Sequence, residues 1–273
     1  MSTKKRILFI AQEMSPYLDL TEYANMVNKM AIKSNEAGLE VRVIMPRFGN
    51  INERRHRLHE VVRLSGINIV IDGDDYPLII KVASLPNARL QVYFLDNEDY
   101  FKRKGVFADD DGTFYDDNAA RMVFFCKGAL ETVKKFGWPP DIIHCSGWMT
   151  SLIPVYLKTA YKKEPVFAQT KTVFSMEPNS FKDKLGATFI KKAIISNQIK
   201  EKDLELYKDG TNSALNRGAA KFADAVVLAG EKVDKKTLDE VKAEKGKIIL
   251  PYKKENEDLV DYLQLYHQLL GVK

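Results

Sequence analysis

An α/β fold is predicted, with a mostly parallel twisted sheet, helices on both faces and a hairpin-rich insertion. Short apolar runs alternate with amphipathic stretches in both halves of the chain. Between residues 61 and 95 that alternation gives way to strand-like segments separated by turn residues. The 273 residues are 45% hydrophobic and 29% charged, which excludes fibrous and disordered classes and allows a sizeable core.

Ile7-Leu8-Phe9-Ile10 is a short apolar run ended by polar residues, the pattern of a strand buried on both faces. Residues 21–37 place Tyr23, Met26, Val27, Met30 and Ala31 at helical spacing and stop at Gly38. The run 41–45 before Pro46 completes a βαβ unit. Segments 67–71, 78–82 and 90–94, separated by Asp72-Gly73-Asp74-Asp75 and Pro86-Asn87, predict hairpin-linked strands and a partly antiparallel sheet. A long helix is predicted over 116–136, with Asp116, Asp117 and Asn118 placed to cap its first turn and Gly137 closing it.

Strand 142–145, helix 150–161 and strand 172–176 form a second βαβ repeat, whose right-handed crossovers place helices on both faces. Helices between 189 and 222 and strands 225–228 and 248–250 extend the sheet. An amphipathic helix over 258–270 is predicted to dock back on the domain through Leu259, Tyr262, Leu263, Leu265, Tyr266 and Leu269. With no repeat, low-complexity tract or linker, residues 1–273 are predicted to be one domain.

A net charge of +5 is mild, and Arg54-Arg55-His56-Arg57, with Arg47 and Arg63 nearby, has no interleaved aromatic platform. These residues read as a solvated face, so no nucleic-acid partner is expected. No run of about 18 apolar residues and no secretory signal is found, giving an expectation of no membrane partner and a cytoplasmic location. Cys126 and Cys145 fit reduced, buried thiols better than a disulfide or a metal site.

In open α/β sheets ligands bind beyond the carboxyl ends of the strands. That directs attention to residues 12–22, 144–150, 175–179 and 229–232. Pro16-Tyr17, Met45-Pro46-Arg47-Phe48-Gly49, Asp96-Asn97 with Tyr100-Phe101 and Arg103, Asp117-Asn118-Ala119-Ala120-Arg121-Met122, Pro140-Asp141-Ile142-Ile143-His144 with Trp148-Met149-Thr150, and Phe222-Ala223-Asp224 follow one another in order. As an ordered set they resemble the amino-terminal half of bacterial glycogen synthases and plant starch synthases. The resemblance implies a Rossmann-like GT-B amino-terminal domain from enzymes that transfer glucose from ADP-glucose to an α-1,4-glucan with retention. ADP-glucose and α-glucan are thus the implied ligands, and no cofactor or metal is implied. Such an enzyme needs two domains of ~200 residues or more each. The second is therefore expected to be absent from residues 1–273, and a separate protein chain is a further candidate partner.

The chemistry positions depart from the family pattern. Where the family has Lys-Thr-Gly-Gly-Leu after the first strand, this chain has Asp19-Leu20-Thr21-Glu22-Tyr23. A cation that meets a nucleotide phosphate is replaced by a carboxylate, and the glycines that let the backbone approach it are lost. Asp19 and Glu22 read as solvent-facing caps of the following helix. His-Asp-Trp-His-Thr becomes Ser146-Gly147-Trp148-Met149-Thr150, which removes both imidazoles and the carboxylate, and Trp148 reads as core packing rather than a sugar platform. Glu177-Pro178-Asn179 stands where the family has a histidine and an asparagine. Glu177 could act as an acid or base if buried, but reads as a solvent-exposed loop carboxylate.

The positions matching substrate-binding motifs are Asp19, Thr21, Trp148, Met149 and Glu177, with no catalytic residue assigned. His144 could be a functional base or a hydrogen-bonded structural histidine. Asp109-Asp110-Asp111 lacks the spaced ligands of a calcium loop. His56 and His59, three apart on a possible helix, carry no metal pattern. The expected function is that of a glycogen/starch synthase-like domain that is degenerate and not catalytic by itself. The alternative is a non-catalytic glucan-binding or protein-interaction module.

Overall fold

Ten strands form a mixed sheet in the computed structural model, which describes residues 4–86, 88–178, 181–244, 246–254 and 259–271. The strands are β1 (Arg6–Ala11), β2 (Glu40–Pro46), β3 (His59–Glu60), β4 (Ile67–Ile71), β5 (Asp74–Ser84), β6 (Gln91–Asp96), β7 (Ile142–Ser146), β8 (Lys171–Met176), β9 (Ala225–Leu228) and β10 (Ile248–Leu250). They lie in the order β10-β9-β8-β7-β1-β2-β6-β5-β3, with β4 paired to β5. From β10 to β6 every pairing is parallel, whereas β5 runs antiparallel to β6, β3 and β4. The predicted hairpin region is therefore split. β4 and β5 form a hairpin around Asp72 and Gly73, both at positive φ, while β6 joins the parallel sheet beside β2.

The helices are α1 (Tyr23–Glu36), α2 (Glu53–His56), α3 (Glu98–Phe101), α4 (Asn118–Phe136), α5 (Ile153–Lys158), α6 (Phe189–Ala193), α7 (Asn212–Phe222), α8 (Lys235–Ala243) and α9 (Val260–Leu270). The chain leaves β1 towards β2 through α1, then returns from β6 to β7 through α4 and continues outward. Right-handed crossovers thus place α1 on one face and α4, α5 and α7 on the other. α9 comes back beside α1, where the Tyr266 hydroxyl lies 3.9 Å from Met30 Sδ. The core is continuous through both layers; Ile7, Leu8, Phe9, Ile10, Ile142, Ile143 and Cys145 are fully buried, as expected for central parallel strands.

Several local expectations are corrected. Asp117 does not cap α4, because its carboxylate grips the Arg103 guanidinium through both terminal nitrogens. Asn118 is buried instead, donating to the Phe107 carbonyl and accepting from Arg121 at 2.6 Å. His56 ends α2 and His59 lies in β3, so they share no helix face. Arg47 is not a free phosphate ligand, since it is nearly buried against Asp96 at 2.9 Å and Glu53 at 3.4 Å. The predicted helix over 150–161 is a 3-10 turn, Trp148–Thr150, followed by the short α5. Gly137 closes α4 at φ +60 as predicted, and both cysteines are buried free thiols. Among the described residues no helix is long and apolar enough to cross a membrane.

Candidate functional site

A cleft of about 480 Å³ opens beyond the carboxyl ends of β8, β9 and β10. One wall is the start of α1, with Thr21, Glu22, Tyr23 and Met26. The floor carries Glu177 and Pro178 after β8, with Ala229 and Gly230 after β9. The far wall comes from the chain's own tail, with Pro251, Tyr252, Lys253 and Lys254 after β10 and Tyr262 of α9. This position, close to where the strand order reverses at β1, is where open α/β sheets place ligands.

Glu13 fixes the α1 wall. It follows β1 and is only 2% exposed. Its carboxylate accepts from the Leu20 amide at 2.7 Å, the Thr21 amide at 2.8 Å and the Thr21 hydroxyl at 2.8 Å. The Leu20 and Thr21 amides ahead of α1 are thereby already satisfied. Burial pushes the Glu13 carboxyl above its ordinary value, opposed by the donors from Thr21, Leu20 and Gln12.

Glu177 is also buried, at 6% exposure, and the Gly147 amide donates to its carboxyl. That amide can approach only because residue 147 is glycine: its φ is +87, and a Cβ there would lie 2.3 Å from the Gln12 side chain. Burial first, and the charge of Glu13 second, push Glu177 up to about 8. At neutral pH it is largely a protonated acid, able to donate as well as accept.

A line of hydroxyls lies beneath the cleft. Tyr262 bonds to Tyr23, whose hydroxyl is 2.7 Å from Ser175 Oγ. Ser175 Oγ is 2.7 Å from His144 Nε2, and His144 Nδ1 is 2.6 Å from the Tyr266 hydroxyl. Burial pulls His144 down to about 3, leaving it neutral with both nitrogens partnered. Of its two sequence readings, the structure supports the hydrogen-bonded structural one.

Residues 6–249 match the family model of the starch synthase catalytic domain. The chain belongs to the starch synthase catalytic-domain family. It is 34% identical over 220 residues to a glycogen synthase of Chlorobium limicola, covering 80% of this chain and 44% of that protein. A glycogen synthase of Pelodictyon phaeoclathratiforme is 41% identical over 172 residues, or 63% of this chain and 35% of the relative. The chain thus spans less than half the length of these curated relatives. In fold it matches the catalytic domain of starch synthase IV from Arabidopsis thaliana, solved bound to ADP and acarbose, with a TM-score of 0.73 and 19% identity. That match covers 93% of this chain and 53% of the plant chain.

Of the five positions matched to family motifs, the structure brings Thr21 and Glu177 together in the cleft. Asp19 is exposed, does not line the cleft and accepts from the Ser15 hydroxyl. Neither Asp19 nor Glu22 caps α1, because the donors ahead of the helix go to Glu13. Glu177 is not the exposed loop carboxylate read from the sequence, because the end of β8 carries it inward to Gly147. Asn179 lies outside the described residues. Trp148 packs against Phe107 at 4.9 Å and Phe181 at 5.0 Å between ring centroids, as core rather than sugar platform. Met149 is fully buried, with its carbonyl accepting from Cys126, and does not line the cleft.

Sequence reasoning missed Glu13, Tyr23, Tyr252 and Tyr262 as site residues. Only the position of Glu13 directly after a buried strand could have pointed to it. Asp109 orders its own turn by accepting from the Asp111 and Thr113 amides. Among the described residues no three histidines, cysteines or carboxylates are placed to hold a metal.

Proposed function

We propose that this chain is a glycogen/starch synthase-type domain that has lost donor-diphosphate binding and retains a saccharide-binding cleft, without catalysing glucosyl transfer by itself. The observation that carries this reading is the charge of the α1 wall. Glu22 lines the cleft at the start of α1, the buried Glu13 lies directly behind it, and the Leu20 and Thr21 amides are occupied by Glu13. Among the described residues no cation on this wall pairs with Glu13 or Glu22, so an approaching diphosphate meets repulsion where phosphate sites rely on free amides and positive charge. What remains favours a neutral or positively charged polar ligand: tyrosine faces and a buried acid that can exchange hydrogen bonds with hydroxyls.

ADP-glucose and α-glucan are the ligands to test, following the resemblance to the synthases. Calorimetric titration with ADP, ADP-glucose and a maltooligosaccharide separates the possibilities. The expected outcome is saccharide binding without binding of either nucleotide at millimolar concentration. Millimolar or tighter ADP binding, lost on replacing residues of the α1 wall, would overturn the reading and restore an enzyme completed by a second chain.

A further inference from the structure

Buried carboxylates elsewhere in this protein face cations. Asp96, 4% exposed, lies 2.9 Å from both Arg47 Nε and Lys81 Nζ. Asp224, which is only part-buried, likewise has Lys158 at 3.0 Å. Glu13 and Glu177 break the pattern. Both are buried, the charge of Glu13 acts on Glu177, and no cation among the described residues pairs with either. Glu22 stands above them at the mouth, and none of the ion pairs among the described residues includes it. Proteins rarely leave buried carboxyls without a compensating charge, and here Glu177 lines a cavity while Glu13 lies behind it, held by Leu20 and Thr21. Glu177 offers that cavity a carboxyl that, among the described residues, accepts from one backbone amide, that of Gly147.

The other groups facing the cavity fix the sign of what fits. Tyr23 and Tyr262 are linked to each other and Tyr252 is exposed at the rim, so three aromatic side chains, a residue type whose rings attract cations, line the cavity. On the far wall Lys253 is neutralised by Asp261 at 2.5 Å. Lys254 also lines the cleft, is exposed, and forms no ion pair with Glu13 or Glu177.

From this arrangement we infer that the cleft selects a saccharide bearing a primary ammonium group, an amino sugar, whose cation takes the place of the missing partner of Glu177. The inference rests on the reading of the cleft as a saccharide site and names its substrate class. Binding would draw the proton from Glu177 and form an ion pair, with Tyr23, Tyr252 and Tyr262 flanking the ring.

The full-length protein titrated calorimetrically at pH 7 with glucosamine, glucose, N-acetylglucosamine and ADP supplies the test. Glucosamine should bind roughly tenfold or more tightly than glucose or its acetylated form, the difference expected of a charge-assisted hydrogen bond. Paired buffers of different ionisation enthalpy should report proton release on binding. Glu177→Gln should abolish both the preference and the proton release. Glu22→Gln, at an exposed position that cannot disturb the core, should weaken the preference while leaving the fold intact. Equal affinity for glucose and glucosamine, or a preference that survives Glu177→Gln, would overturn the inference while leaving a neutral-saccharide site standing. Failure of all three sugars to bind would overturn both readings. ADP binding would remove the proposed function and leave the amino-sugar preference to be judged on the sugar ratio alone.

Discussion

Replacing Glu177 by glutamine should stabilise this protein, and do so more as the pH rises. An ordinary glutamate titrates near 4.5, whereas Glu177 is pushed up to about 8 by burial and by Glu13. The folded chain therefore holds the proton more tightly than the unfolded one. The protonated acid's contribution to stability is complete below pH 4.5 and is lost progressively as the pH rises through 8. Within that window each pH unit removes about 1.4 kcal/mol, so at pH 7 the penalty is ~3 kcal/mol relative to a group that does not titrate. Glutamine keeps the size of the side chain and can still accept from the Gly147 amide, but has no proton to lose.

Urea unfolding of both proteins at pH 5 and pH 8.5 measures the difference directly. Other groups contribute to each curve, His144 by opposing stability as the pH falls through its unfolded value near 6.5 and Glu13 in the same sense as Glu177. They are common to both proteins and largely cancel in the comparison. The gap in stability should widen by a few kcal/mol between the two pH values. Parallel pH profiles would refute the argument, because they would mean that the Glu177 carboxyl is hydrated through the cleft and titrates normally.

Two further outcomes test the scaffold. Tyr266→Phe removes the hydroxyl beside His144 Nδ1 and strands a fully buried ring nitrogen, so unfolding should become easier by about 1–3 kcal/mol. An unchanged urea midpoint would show that α9 is not held by this contact. Gly147→Ala forces a side chain into φ +87 and towards Gln12, and should cost at least ~2 kcal/mol in the same assay. A loss below about 0.5 kcal/mol would mean that the turn under Glu177 is not as tight as described.

The sheet was legible because its central strands are buried on both faces and read as unbroken apolar runs; Ile7 to Ile10 is the clearest. β3 was not, since His59 and Glu60 are exposed and become a strand only through pairing with Val82 and Lys81. α8 carries just two aliphatic side chains of any size, Leu238 and Val241, too narrow a stripe to stand out. The misreadings at the site share a cause. Asp19 and Glu22 look like caps because they precede a helix, but the acceptor for the nearby amides is Glu13, supplied from the end of β1. Glu177 looks exposed because it is polar and precedes proline, yet its burial is set by Gly147 on the neighbouring strand's loop. His144 finds Tyr266 122 residues away in sequence. Tertiary contacts, not local preference, decide these positions.

The proposed loss of glucosyl transfer would not by itself account for Glu177. A glutamine there would remove a penalty of ~3 kcal/mol at pH 7, a large part of the stability of a typical domain. Ionisable groups held far from their ordinary titration range by burial and a like charge concentrate at functional sites, where the strain is relieved by a ligand. The tail strengthens the point. Lys253 and Lys254 line the same cleft as Glu177. Yet Lys253 turns to Asp261 and Lys254 stays at the rim. The protein thus has cations at hand and leaves the floor of the cleft without one, which is the arrangement expected if the compensating charge arrives with the ligand.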